Sequence, residues 1–159
     1  MTEVIKKKII IKAKKEQMIQ KKQARSKELI RLGLLCEITD TIHIGQEILL
    51  GHLLQYKPLI EYKELGENLI KELQNNDTKK VINLDTKNKK SRNHDLITYG
   101  SLFEIAKLKD KNLAELGGYL KQIFKENEIY INQCDIVGKT YFLKLKQEKN
   151  QDKKILLFY

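Results

Sequence analysis

The feature that most constrains the fold is a long run of good helix formers, from Lys12 to about Ile38, that contains no proline. The run begins rich in lysine and turns apolar beyond Leu29. On a helical wheel its cations gather on one half of the surface. Lys7, Lys14, Lys21 and Arg25 fall within about 40° of one another, with Lys8, Lys15 and Lys22 beside them. We therefore predict a helix with a basic arm and an apolar, packing end.

The segments around this run are less uniform. The N-terminal "VIKKKIII" is rich in β-branched residues and suits a short strand as well as a helix. Residues 26–75 resemble three packed helices joined by short turns, because apolar side chains recur every three or four positions. The next segment is polar and has few apolar residues, so we interpret 78–96 as a basic linker.

Beyond Asn127 the pattern indicates β-structure. Tyr141, Leu143 and Leu145 alternate with more polar neighbours, which is typical of strands. The predicted fold is mainly α, with a basic N-terminal helix and a helical hairpin or bundle in residues 1–77. A small α+β unit with a two- or three-stranded antiparallel sheet follows in 97–159. We expect a fragment ending at Asn75 to keep its helices.

Charge is distributed unevenly over the 159 residues, whose formal net charge is +10. Residues 1–35 carry a net +8 and residues 79–92 a net +5, whereas residues 36–78 carry −5. Two separate basic blocks favour binding to an acidic partner such as nucleic acid. The chain has no apolar run long enough to span a membrane, and its two cysteines are far apart. A cytoplasmic location is the simplest expectation.

The sequence offers little for catalysis or for a cofactor. The P-loop-like "DIVGKT" lacks the glycine five residues before Gly138, so no phosphate cradle is expected. Cys36, His43 and His52 have no convincing metal-site spacing, and Tyr130 is more readily a core residue than a stacking platform, as are Tyr141 and Phe142. We expect a protein without enzymatic activity, cofactor or metal.

The segments "KKQARSKELIRLGLLCEI" and "QEILLGHLL" resemble the small TraD family of conjugal transfer proteins, found with Ti-type plasmid transfer systems. The resemblance covers residues 20–56. It implies an accessory protein encoded beside the relaxase and the transfer origin, and a packing motif without catalytic residues. The positions that carry the motif are Leu29, Ile30, Leu32, Gly33, Leu49, Leu50, Gly51, Leu53 and Leu54.

Together these observations predict a helical accessory of conjugative DNA transfer that binds DNA, the relaxase or both near the transfer origin. Two alternatives stay open. The chain could be a protein–protein adaptor whose lysines reflect genome composition, or a helix–turn–helix regulator built on residues 26–56. Self-association is a further possibility. The predicted nucleic-acid-binding residues are Lys14, Lys15, Lys21, Lys22, Arg25 and Arg31.

Overall fold

The computed structural model describes residues 2–75 and 86–156, and all regular structure within these ranges is helical. Short 3-10 turns lie at Thr41–His43 and Ile123–Lys125. The α-helices in chain order are α1 (Glu3–Ile38), α2 (Gln46–Leu54), α3 (Ile60–Asn75), α4 (Thr86–Ile105), α5 (Leu113–Gln122) and α6 (Glu128–Leu156).

The predicted C-terminal sheet is wrong, because the described part of residues 97–159 contains no strand and ends in the long helix α6. The residues of α6 that are shielded from solvent recur with helical spacing. Cys134 and Gly138 are buried, and Tyr141 and Leu145 are half-buried. The alternation that suggested a strand spans only a few residues, and that length does not distinguish a strand from one side of a helix.

The ends of the two halves differ from the prediction as well. The N-terminal residues belong to α1, so the strand alternative for them is wrong. Helix α4 begins at Thr86, inside the segment 78–96 that we interpreted as a linker, and Leu96 is buried. Residues 1, 76–85 and 157–159 lie outside the described ranges, and they include residues 78–85 of that linker and the end of "KILLFY".

The helices associate as three pairs, α1 with α4, α2 with α6, and α3 with α5. In every pair a glycine of each helix lies directly against the backbone of the other. The contacts are reciprocal and antiparallel: Gly33 faces Leu96, and four residues away Leu29 faces Gly100. The other two pairs repeat this arrangement: Gly51 faces Cys134 and Glu47 faces Gly138, while Gly66 faces Ala114 and Tyr62 faces Gly118.

Six of the chain's eight glycines therefore serve as helix contacts. A glycine inside a helix costs roughly 1 kcal/mol relative to alanine. Here the missing side chain lets two backbones approach, so the local cost is offset by closer packing between helices. Gly33 and Gly51, which belong to the resemblance motif, lie against the backbones of α4 and α6 respectively.

One hydrophobic core joins the N-terminal and C-terminal halves of the chain. Leu32 and Leu50 from the first half share it with Phe103 and Leu116 from the second. Helices of the region 1–77 thus pack mainly on helices of the region beyond residue 85. This pairing makes the stability of one half depend on the presence of the other.

Candidate nucleic-acid interface

The first 22 residues of α1, Glu3–Ala24, form an arm whose side chains are all exposed. We call this segment the arm. At 1.5 Å per residue it is about 33 Å long. It carries eight lysines and two glutamates. One of the lysines, Lys7, pairs with Glu3 at 3.2 Å across one helical turn. A rod with this charge and exposure suits the phosphates of a nucleic acid.

Apolar side chains are interspersed with these lysines. Val4, Ile11 and Met18 recur every seven residues, and each is more than half exposed. On the wheel they fall between Lys14 on one side and Lys15 on the other. The arm thus carries a narrow line of exposed apolar side chains with lysines on both sides of it.

The predicted nucleic-acid-binding residues fall into two groups. The first group is exposed on the arm and consists of Lys14, Lys15, Lys21 and Lys22. Two turns of helix separate the first two lysines from the last two. Arg25 and Arg31 lie beyond it, where α1 joins the bundle. Arg31 is exposed on a different side of the helix from the arm lysines.

Arg25 already has a protein partner. Its Nη2 and Nε donate to the two carboxylate oxygens of Glu104 at 2.7 and 3.1 Å. The hydrogen bonds to Arg25 lower the pKa of Glu104. A similar bidentate pair joins Arg92 to Glu37 at 2.6 and 3.2 Å. The two pairs flank the glycine contacts and fix the register of α1 against α4, so Arg25 has a structural role as well as a charge.

The residues of the resemblance motif lie in the packed region. All except Ile30 and Leu54, which are half-buried, are buried. Helix α2 exposes almost none of its motif: Leu49, Leu50 and Leu53 are at most 1% exposed. A recognition helix must present polar side chains to base edges, so this burial disfavours the helix–turn–helix alternative.

A largely buried polar cluster joins His52, Tyr119 and Tyr130, and no pattern in the sequence indicates it. His52 Nε2 donates to the Tyr119 carbonyl at 2.9 Å, and the Tyr130 hydroxyl donates to Nδ1 at 2.8 Å. The Tyr119 ring stacks on His52 at 4.1 Å, and its hydroxyl donates to the His52 carbonyl at 2.5 Å. Both ring nitrogens of a neutral His52 imidazole therefore have a hydrogen-bond partner.

Stability is expected to fall as pH falls through the range in which His52 titrates. Burial lowers the pKa of His52 to about 4, whereas an unfolded histidine titrates near 6.5. Between these values the unfolded chain binds more protons, so acid favours unfolding. We expect a loss of about 2 kcal/mol between pH 7 and pH 5.

Urea unfolding of wild type and His52→Gln at pH 7 and pH 5 measures this loss. Glutamine offers a donor and an acceptor but does not titrate, so the variant provides the baseline for the other groups. Equal pH dependence in both proteins would contradict the assignment.

The P-loop-like segment and the candidate metal ligands of the sequence are parts of the helical bundle and its turns. Gly138 lies within α6 against the backbone of Glu47, so "DIVGKT" is helical and forms no phosphate loop. Cys36 is buried, whereas His43 is exposed near Asp40. In the residues that the structure describes, no three His, Cys, Asp or Glu side chains are grouped to hold a metal ion. None of the described helices has an apolar stretch long enough to cross a membrane.

Comparisons with protein-family models, curated proteins and solved structures give no match. The resemblance of residues 20–56 to the small TraD family therefore stays a prediction.

Proposed function

We propose that this chain is a non-enzymatic accessory protein of conjugative DNA transfer that binds DNA through the arm. The observation that carries the proposal is the exposed helix Glu3–Ala24 with its excess of six positive charges. The bundle itself begins to contact α1 only near Arg25 and Leu29. The arm is consequently free to lie along a polyanion without disturbing the core.

The helical state of the arm supports a binding role. A single helix of about 22 residues is only marginally stable in water, because most helical stability in proteins comes from packing. Lysines at close spacing also repel one another. An anionic partner removes this repulsion and stabilises the helix, whereas a second arm of the same charge adds to it. This difference favours DNA over self-association through the arm.

The link to conjugation depends on the resemblance, and the relaxase is a second candidate partner. In the adaptor alternative the same arm binds an acidic protein surface and DNA affinity is negligible. Phosphate contacts position a protein on DNA without reading sequence, so we propose little discrimination between duplexes. A cytoplasmic location fits this activity.

The affinity for duplex DNA is expected to depend steeply on salt and to reside in the arm. Neutralisation of about 4–6 phosphates gives a slope of log affinity against log salt of about −4 to −5. Changing Lys14, Lys15, Lys21 and Lys22 to Gln should make the slope shallower by about three units. Titrations between 50 and 200 mM salt by fluorescence anisotropy measure the slopes.

The matched control removes four lysines from the exposed end of α6, namely Lys144, Lys146, Lys149 and Lys153. Both variants lose the same charge, so only a contact with the arm separates them. A deletion of residues 1–22 should behave like the arm variant. Equal slopes for the two quadruple variants, or no measurable binding by wild type, would contradict the proposed function.

A further inference from the structure

A basic groove lies where the arm meets the bundle, and the sequence did not indicate that such a groove exists. Its volume is about 600 Å³. Residues of α1 form one wall and the α4–α5 loop contributes Lys109 to the other. We call it the basal groove. The residues that line it are Lys21, Ala24, Arg25, Lys27, Glu28, Arg31 and Lys109.

The loop that presents Lys109 has a defined conformation. Lys107 adopts a left-handed backbone with φ of 60° and terminates α4. The Lys107 and Leu108 amides donate to the carbonyls of Glu104 and Phe103, which is the Schellman arrangement. Leu108 is buried beside Phe103 in the core. Lys109 follows this anchored residue directly, so its backbone position is determined by the fold.

The far side of the loop is anchored as well. The Lys111 amide donates to the Leu108 carbonyl at 3.1 Å. The Asn112 side chain then caps α5 and accepts from the Ala114 and Glu115 amides at 2.9 and 3.2 Å. A lysine held between two such anchors loses little backbone entropy when it binds a ligand.

The charges in the groove are not equivalent. The guanidinium of Arg25 is paired with the carboxylate of Glu104. Within the described ranges, Lys27, Arg31 and Lys109 make no ion pair, and all three are exposed. Glu28 is the single carboxylate of the lining. The basal groove therefore holds more cations than carboxylates, and three of its cations stand outside any ion pair of the described residues.

The basal groove is also continuous with the arm. Lys21 belongs to both, and Lys14 lies two turns earlier on nearly the same line of the helix. A phosphate backbone that follows the arm towards the bundle reaches the groove next. Arg31 and Lys109 then approach it from two different elements, which fixes its position better than lysines on one helix do.

We propose that the basal groove binds a backbone phosphate of the nucleic acid that the arm binds, with Arg31 and Lys109 as its principal contacts. This inference depends on the proposed function. In this arrangement the bundle is part of the interface, and the phosphate in the groove defines where the bound strand meets the bundle. The ligand is a phosphodiester, and free inorganic phosphate has related chemistry, so the experiment must distinguish the two.

The test compares Lys109→Gln with Lys107→Gln in the full-length chain. Both lysines are exposed in the same loop, but only Lys109 lines the groove. For a 20-base-pair duplex, Lys109→Gln is expected to reduce the salt slope by about one unit, and the Arg31→Gln, Lys109→Gln double variant by one to two. Lys107→Gln should leave the slope near that of wild type. Circular dichroism melts verify that each variant is folded.

The outcomes separate the two proposals. If the arm variants lose affinity while Lys109→Gln and Lys107→Gln behave alike, the groove inference is overturned and the arm remains the DNA-binding element. If wild type binds no duplex, both proposals fail. If inorganic phosphate at millimolar concentration shifts the Arg31 and Lys109 resonances but duplex DNA does not, the groove is a free-anion site and the nucleic-acid assignment is overturned.

Discussion

Replacement of Gly118 by alanine is expected to lower the free energy of unfolding by about 2–3 kcal/mol, whereas the same replacement at Gly117 is expected to be nearly neutral. The two glycines are neighbours in α5 and both are buried. A methyl group on Gly118 would collide with the backbone of Tyr62 in α3. On Gly117 it would meet only the end of the Leu35 side chain, at 3.3 Å.

The adjacent pair isolates the packing effect. Alanine improves helix propensity equally at both positions, by roughly 1 kcal/mol, so the difference between the variants reports what the new methyl group contacts. A backbone cannot rotate out of the way as a leucine side chain does, so α3 and α5 must separate. For a chain of this size we expect the melting temperature of Gly118→Ala to fall by about 5–10 °C relative to Gly117→Ala.

Thermal and urea unfolding of both variants measure this difference. Gly33→Val and Gly51→Val extend the test to the other two helix pairs, where each glycine also faces a partner backbone. Equal stability of Gly117→Ala and Gly118→Ala would mean that α3 and α5 do not approach as closely as the structure shows.

Local sequence signals identified the features that depend on neighbouring residues. The spacing of Asn112 and Glu115 matches a capping box, and the Asn112 side chain caps α5. Apolar spacing placed Leu29 and Leu53 in packed helices, and both are buried. These features depend on residues within one or two turns, so the sequence contains the information directly.

The features that could not be predicted depend on partners that are distant in the sequence. In α6 the residues that are covered are those that pack on α2, as the contact of Cys134 with Gly51 shows. The Glu104 partner of Arg25 is 79 positions away, and no local pattern indicates it. The position of Lys109 in the basal groove likewise has no local signal, because only the fold brings its loop beside α1.

The basic arm could be recognised in the sequence, but the residue at which its exposed part ends could not. Charge alone marks residues up to Arg31 as cationic. The structure divides them at Arg25, where the ion pair with Glu104 begins the contact with α4. The lysines before it are exposed on the arm, while Arg31 lies on a concave surface that Lys21 also lines. One basic segment thus presents its cations in two settings, an exposed helix and a concave surface.

A fragment ending at Asn75 is expected to lack cooperative folding, in contrast to the expectation from sequence. Each of its helices, α1, α2 and α3, has its close-packed partner in the second half of the chain. The fragment would expose leucines that are at most 2% accessible in the intact protein, among them Leu29, Leu49 and Leu50. Residual helix in α1 is expected, but without a sharp unfolding transition.

The complementary experiment mixes residues 1–80 with residues 81–159. Because all three antiparallel pairs cross between these fragments, we expect a 1:1 complex that regains a cooperative melt, whereas each fragment alone melts gradually. Circular dichroism of the mixture against the sum of its parts, with sedimentation analysis, measures the association. A matched mixture in which the second fragment carries Gly118→Ala should associate more weakly, since one of the three helix pairs is then obstructed. Cooperative unfolding of residues 1–75 alone would instead show that the N-terminal helices possess their own core and that the halves are separate domains.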